Sequence, residues 1–229
     1  MFDAVLFDMD GLLLDSERVI MNAWTAAAAE EGVEIPAEVY TAVIGRAAQE
    51  SYLLFTEMLG GPERYARLRG RVLERLSVGG SAPVFPLKTG VVELLVRLKE
   101  RGIPRAVASS SGAEEIRHRL HAVGVLKHFD AVAGGNEVMR GKPDPAVYRL
   151  AAERLGIPAN CCVAFEDSEN GARAALAAGA SLVIVPDLRP PAPDVAARSL
   201  HVMDSLHDAL PHLHRWFPRH FLIESGDTP

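Results

Sequence analysis

Cysteine is scarce in this 229-residue chain: there are 2, and they are neighbours, Cys161 and Cys162. Adjacent cysteines cannot bridge without straining bond and backbone, so a secreted fold stapled by disulfides is excluded. No uninterrupted apolar run reaches the length of a membrane span, and a membrane partner is not expected. Blocks of lysine or arginine are also missing. The 24 Lys plus Arg are outnumbered by 30 Asp plus Glu, giving a net charge of −6, so nucleic acid is not expected as a partner. The opening residues lack the basic leader of a secretory signal, and Asp3, Asp8 and Asp10 interrupt their apolar stretch, so the expectation is a cytoplasmic protein. No two histidines stand four apart with a glutamate between them, the helical spacing a zinc site of that kind uses. Between Gly135 and Lys142 the glycine spacing is one residue too long for a nucleotide P-loop, and Pro143 stands where Ser or Thr is required. At 48% hydrophobic and 24% charged, the composition is that of a globular chain with ample residues for a core.

The apolar pattern divides the chain unevenly. Asp3 to Asp8 is a short, continuous apolar run that reads as a strand buried on both faces, as in a parallel sheet. Ile20, Ala23, Trp24, Ala27 and Ala28 then fall at helical spacing, with Trp24 read as packing rather than a substrate platform. From about residue 37 to 78 the segments remain helix-like without a convincing strand. After Pro83 the pattern alternates: helix from Val91, strand 105–109, helix with Ile116 and Leu120, strand 130–133, helix 145–155, strand 162–166, helix 170–179, strand 182–185. Such alternation predicts βαβ units, hence an α/β fold: a Rossmann-like parallel sheet core flanked by helices. The first strand belongs with the later ones. The expected division is therefore a discontinuous core, residues 1–14 and 83–229, with residues 15–82 inserted as an all-helical cap. Prolines between Pro186 and Pro193 predict an irregular connection, and the tail beyond Pro211, with its histidines, Trp216, Phe217 and Phe221, has no role that pattern assigns.

Open parallel sheets bind ligands beyond the carboxyl ends of their strands. The residues expected there are Asp8, Asp10 and Gly11; Ser109, Ser110 and Ser111; Lys142 in Gly141-Lys142-Pro143-Asp144; and Glu166, Asp167 and Ser168. Each has an ordinary structural use: aspartates form turns, Glu166 to Ser168 can cap a helix, and Lys142 can lie in solvent. Their joint placement at successive strand ends is what points to a site. At an effective dielectric near 20, two like charges about 4 Å apart cost roughly 4 kcal/mol. Four carboxylates there require either protonation or a divalent cation, and an all-oxygen set favours Mg²⁺. A cation, a lysine, hydroxyls and a helix start form a phosphate-binding inventory. Asp8 and Asp10, two apart on an extended segment, are expected to share one face, one attacking phosphorus and the other handling the proton.

These residues carry a family resemblance. Phe7 to Glu17 resembles the first motif of the phosphatase branch of the haloacid dehalogenase superfamily, Ala108-Ser109-Ser110 the second, Gly141 to Pro145 the third, and Phe165 to Ser168 with Asn170-Gly171 the fourth. All four stand in family order. The resemblance implies Asp8 as nucleophile, Asp10 as acid/base, Ser109 and Lys142 as phosphate ligands, and Mg²⁺ held by Asp8, the Asp10 carbonyl and Asp167 with Glu166 nearby. Gly11 and Ser110 are expected at the substrate. A closer resemblance is to the beta-phosphoglucomutase-like subgroup, which includes sugar-phosphate phosphatases. Its specificity loop resembles Ile44 to Glu50, with Arg46 and Gln49 as candidate substrate contacts; Arg46 and Glu50 can equally form a helical ion pair. Ser16 and Glu17 fall where the chain leaves the core, at a candidate hinge. A mutase of the subgroup grips a second phosphate with an arginine where this chain has Ala48, and carries a histidine where it has Ile20. The reading is thus a Mg²⁺-dependent phosphomonoester hydrolase taking a small phosphorylated metabolite as its partner. The alternatives are a mutase and a non-catalytic phosphometabolite-binding protein.

Overall fold

The computed structural model describes residues 1–36, 39–40, 48–77 and 83–221, with residues 48–51 described in backbone only. Six parallel strands form one sheet: β1 (Ala4–Phe7), β2 (Arg105–Ser109), β3 (Ala131–Gly134), β4 (Cys162–Glu166), β5 (Ser181–Ile184) and β6 (His201–Val202), in the order β3-β2-β1-β4-β5-β6. All four residues of β1 are fully buried, as a strand covered on both faces must be. Val5 and Phe7, with Val107, Val163, Phe165 and Val183, project into one apolar cluster beneath α4 (Val91–Glu100) and α5 (Ala113–Ala122). The alternate residues Ala4, Leu6, Ala106, Ala108 and Ala164 face α6 (Ala146–Leu155) and α7 (Glu169–Ala178). Small residues on that face let the alanine-rich α6 and α7 approach closely.

The fold class read from pattern is the observed one. β2 and β4 occupy the expected residues; β3 and β5 are displaced by one residue from 130–133 and 182–185. Two features were not foreseen. β6 adds a sixth strand of two residues, and the proline-rich connection before it carries a short helix, α8 (Pro193–Ala196). The tail without an assigned role is core: Leu213, Trp216 and Phe217, in and just after α9 (Leu213–Trp216), are buried against the β1 side of the sheet. The Phe2 N–H donates to the Trp216 carbonyl at 2.8 Å, tying this tail to the approach to β1.

Between β1 and α4 the described residues form α1 (Ser16–Glu30), α2 (Ala48–Leu59) and α3 (Pro62–Leu76), with no strand. Ala23, Trp24, Ala27, Ala28, Phe55, Leu59, Leu68 and Val72 make an apolar cluster of their own. Trp24 stacks on Phe55 at 4.8 Å between ring centroids, so it packs as expected. The two chain segments joining these helices to the sheet run side by side: Asp15 N–H donates to Pro86 O at 2.9 Å, and Lys88 N–H to Leu13 O at 3.0 Å. Among the described residues no helix is long and apolar enough to cross a membrane.

Candidate active site

The strand order reverses between β1 and β4, and four side chains meet beyond their carboxyl ends, where such a sheet opens a crevice. Asp8 follows β1 directly, and its N–H still donates to the Phe165 carbonyl at 3.1 Å, which fixes its backbone against β4. Glu166 ends β4 fully buried. Lys142 reaches in from the loop before α6, and its Nζ donates to Asp8 Oδ1 at 2.5 Å and to Glu166 Oε1 at 2.6 Å. Only 5% of this lysine side chain is exposed, which removes the solvated-surface use open to it in the sequence. Tyr148, buried on the first turn of α6, donates its hydroxyl to the same Glu166 oxygen at 2.7 Å. Glu166 Oε2 accepts from the Asp167 and Ser168 N–H groups, both at 3.1 Å, and from Ser168 Oγ at 2.9 Å. With both oxygens engaged, Glu166 chiefly holds Lys142 and the turn into α7 in place. Ser168 also caps α7, accepting from the Gly171 N–H at 3.2 Å, so this motif's structural use accompanies the site.

Charge balance bears on a cation. Burial pushes the Asp8 carboxyl up to about 8, with the Lys142 ammonium opposing the rise and Glu166 adding to it. On Lys142 burial works downward, but Asp8 and Glu166 outweigh it and hold the ammonium above its ordinary value. Asp167 is raised well above the usual carboxylate range by burial, then by Glu166 and Asp8. Ligand oxygens of Asp8, Glu166 and Asp167 lie within 4.8 Å of one another. Asp167 Oδ1 is shut off from solvent without a hydrogen-bond partner. A buried, orphaned oxygen among carboxylates fits a cation ligand, and an all-oxygen donor set suits a hard divalent ion. Two glycines make room for these acids. A Cβ on Gly11, whose φ is +84°, would stand 2.2 Å from Asp167 Oδ2, and one on Gly171 would stand 1.8 Å from Glu166 Oε1. Gly11, expected at the substrate, is placed against Asp167.

The Asp10 carboxylate stands outside the cluster formed by the Asp8, Glu166 and Asp167 oxygens. β1 ends at Phe7, but Met9 is still fully buried in the cluster that holds Val5 and Phe7, so the alternation of β1 runs on through it. The Asp10 carboxylate accepts instead at Oδ1 from Ser16 Oγ (2.8 Å) and Arg119 Nη1 (2.7 Å), and at Oδ2 from Ser111 Oγ (2.9 Å). It remains near enough to raise the pKa of Asp8. Glu17, beside Ser16, is pushed up to about 7 by burial, Asp10 and Asp187, with Arg119 opposing. Ser109 is buried at the end of β2, where its Oγ accepts from the Ser111 N–H at 3.1 Å; Ser110 is exposed next to it. Arg46 lies outside the described residues, as does the side chain of Gln49 in α2. Tyr148 and Arg119 were not singled out from the sequence. The cue for Arg119 is its place between Ile116 and Leu120, at the border of the buried face of α5.

Fold and site together define an α/β protein with an acid-and-lysine centre at the switch point of a parallel sheet. The family model of haloacid dehalogenase-like hydrolases matches residues 2–179, and the chain belongs to that family. It is 33% identical over 177 residues to a phosphorylated carbohydrates phosphatase of Thermotoga maritima, covering 77% of this chain and 82% of that protein. It is 33% identical over 180 residues to hexitol phosphatase A of Escherichia coli, covering 79% and 81%. Among solved structures, a family hydrolase from Deinococcus radiodurans with bound phosphate and sodium superposes with a TM-score of 0.77 at 28% identity, covering 94% and 96% of the two chains.

Proposed function

We propose that this chain is a Mg²⁺-dependent phosphomonoesterase acting on a small phosphorylated metabolite, of the sugar or polyol phosphate class, through an aspartyl-phosphate on Asp8. The observation that carries this reading is the Lys142 ammonium seated 2.5 Å from Asp8, beside the orphaned Asp167 oxygen. It supplies a nucleophile, a cation for the phosphoryl oxygens and a cation ligand at one point. The relatives that act on phosphorylated carbohydrates and hexitols support the substrate class.

An Asp8 oxygen attacks phosphorus, the bond from phosphorus to the leaving oxygen breaks, and Asp10 gives that oxygen its proton. Water then attacks the acyl phosphate, Asp10 takes a proton from it, and Asp8 departs as carboxylate. Lys142, Ser109 and Ser110 hold the phosphoryl oxygens. Asp8, Asp167 and the Asp10 carbonyl would hold Mg²⁺, with Glu166 nearby; bound there, the ion lowers the repulsion between anionic nucleophile and anionic substrate. The helices of residues 15–82 act as the cap that selects the leaving group, over a core of residues 1–14 and 83–229, with Arg46 and Gln49 as its candidate contacts.

The test is turnover of a sugar- and polyol-phosphate panel by the wild type and by D8N. Release of phosphate with Mg²⁺, stopped by chelation and reduced at least about 1,000-fold in D8N, is the expected result. Undiminished turnover in D8N overturns the nucleophile assignment.

A further inference from the structure

We infer that Arg119, on α5, is a positioning residue for the acid/base Asp10. This rests on the proposed role of Asp10. Two of the three donors to that carboxylate belong to the sheet-and-helix core: Ser111, in the turn after β2, and Arg119. Only Ser16, the first residue of α1, belongs to the helical unit, so any movement of that unit leaves two core anchors behind. Arg119 is itself fixed from three sides. Its Nη1 donates to Asp10, its Nη2 donates to Glu115 one turn earlier on the same helix, and its guanidinium carbon stands 5.0 Å from the centroid of the Phe85 ring. Its side chain is 16% exposed, although it comes from the border of the helix.

This arrangement has a purpose that packing alone does not require. Asp10 lies beyond the last residue of β1; a single bridge to Leu14 holds its backbone, but that leaves its carboxylate free to rotate. Proton transfer to a leaving oxygen requires the acid within hydrogen-bond reach of one place, and misplacement of a reacting group by about 1 Å can cost 100-fold in rate. A rigid guanidinium presented by α5 supplies that aim.

Leaving-group dependence tests the inference. An alkyl phosphate, taken from the panel that the wild type turns over, needs the acid; p-nitrophenyl phosphate departs as a stabilised phenolate and needs it little. Because kcat/KM covers only the steps through departure of the leaving group, the later attack by water does not enter. R119A should lower kcat/KM for the alkyl phosphate about 10- to 100-fold, mostly through kcat, with p-nitrophenyl phosphate losing less than about 3-fold. R119K, which keeps one charged donor, should recover part of the loss, and D10N should show the same selectivity more strongly. The retained p-nitrophenyl phosphate activity of R119A and R119K, and the far-ultraviolet circular dichroism of D10N, report that the variants are folded.

Equal losses on both substrates would mark Arg119 as structural and overturn the inference, as would a rise in KM for the alkyl phosphate alone. Selectivity in D10N but not in R119A also overturns it while leaving the proposed function intact. No selectivity in D10N removes the acid role and the inference together.

Discussion

Glu17 stands one residue beyond the Asp10 partner Ser16, and its burial, together with Asp10 and Asp187, raises its pKa from an ordinary 4.5 to about 7. In the unfolded chain it ionises near 4.5, so between these values the native state holds a proton that the unfolded state has lost. Stability from this residue therefore falls as pH rises through that window, and the penalty is complete above about 7. E17Q removes the ionisation. Metal-free unfolding in denaturant should find the variant and wild type level near pH 4 and the variant more stable at pH 8, by at most about 3 kcal/mol. A difference independent of pH would contradict the shift. The same residue-scale view shows what sequence could and could not reveal. Asp8, Lys142, Glu166 and Asp167 were legible because each follows or precedes an element whose apolar pattern is plain. The anchoring of Asp10 was not, since its three donors, Ser16, Ser111 and Arg119, come from three separate parts of the chain. Arg119 and Tyr148 were hidden for a different reason: helical period gives a residue's face, but not the partner that a polar tip reaches across the fold.

Among the elements, the short α9 depends most on tertiary packing. At four residues it cannot be stable alone, and it forms because Leu213 and Trp216 lie against the sheet, with Phe217 fully buried behind them. Trp216 meets Phe165 of β4 at 6.1 Å between centroids, so the tail covers the strand that presents Glu166. F217A should cost about 3–5 kcal/mol, as large-to-small core changes do. In a chain of 229 residues that lowers the thermal midpoint by roughly 10 °C, readable by calorimetry; a change under about 1 kcal/mol would show the tail to be dispensable. Long elements were legible because their period runs over ten residues or more. β6 was not, because two residues, His201 and Val202, carry no alternation to read. What makes them a strand is the exposed edge of β5, a property of the sheet and not of their own composition.

At the scale of the molecule, the two tryptophans lie in two different clusters of the three apolar ones. Trp24 stacks within the helical unit, and Trp216 lies in the core beneath the sheet. The covalent bridge between these regions is two adjacent segments, fastened at their base by the Asp15–Pro86 and Lys88–Leu13 hydrogen bonds. Lys88 Nζ at 2.5 Å and Arg18 at 3.3 Å both donate to the buried Asp187 carboxylate after β5, which binds the foot of each segment to the sheet. Beyond that clasp, the helical unit rests on the smallest of the three clusters, and stability follows buried apolar area. The helices should therefore unfold before the sheet. W216F leaves Trp24 as the sole indole, and W24F leaves Trp216. Their fluorescence transitions in urea should not coincide, with Trp24 changing at lower denaturant and with the shallower slope expected of a smaller unit. Far-ultraviolet circular dichroism of both variants guards against the substitutions themselves shifting the curves, since each should show both steps. Superimposable transitions would mean that the clasp at Asp187 makes one cooperative body, and that any selection of substrate by the helices proceeds without their moving as a separate unit.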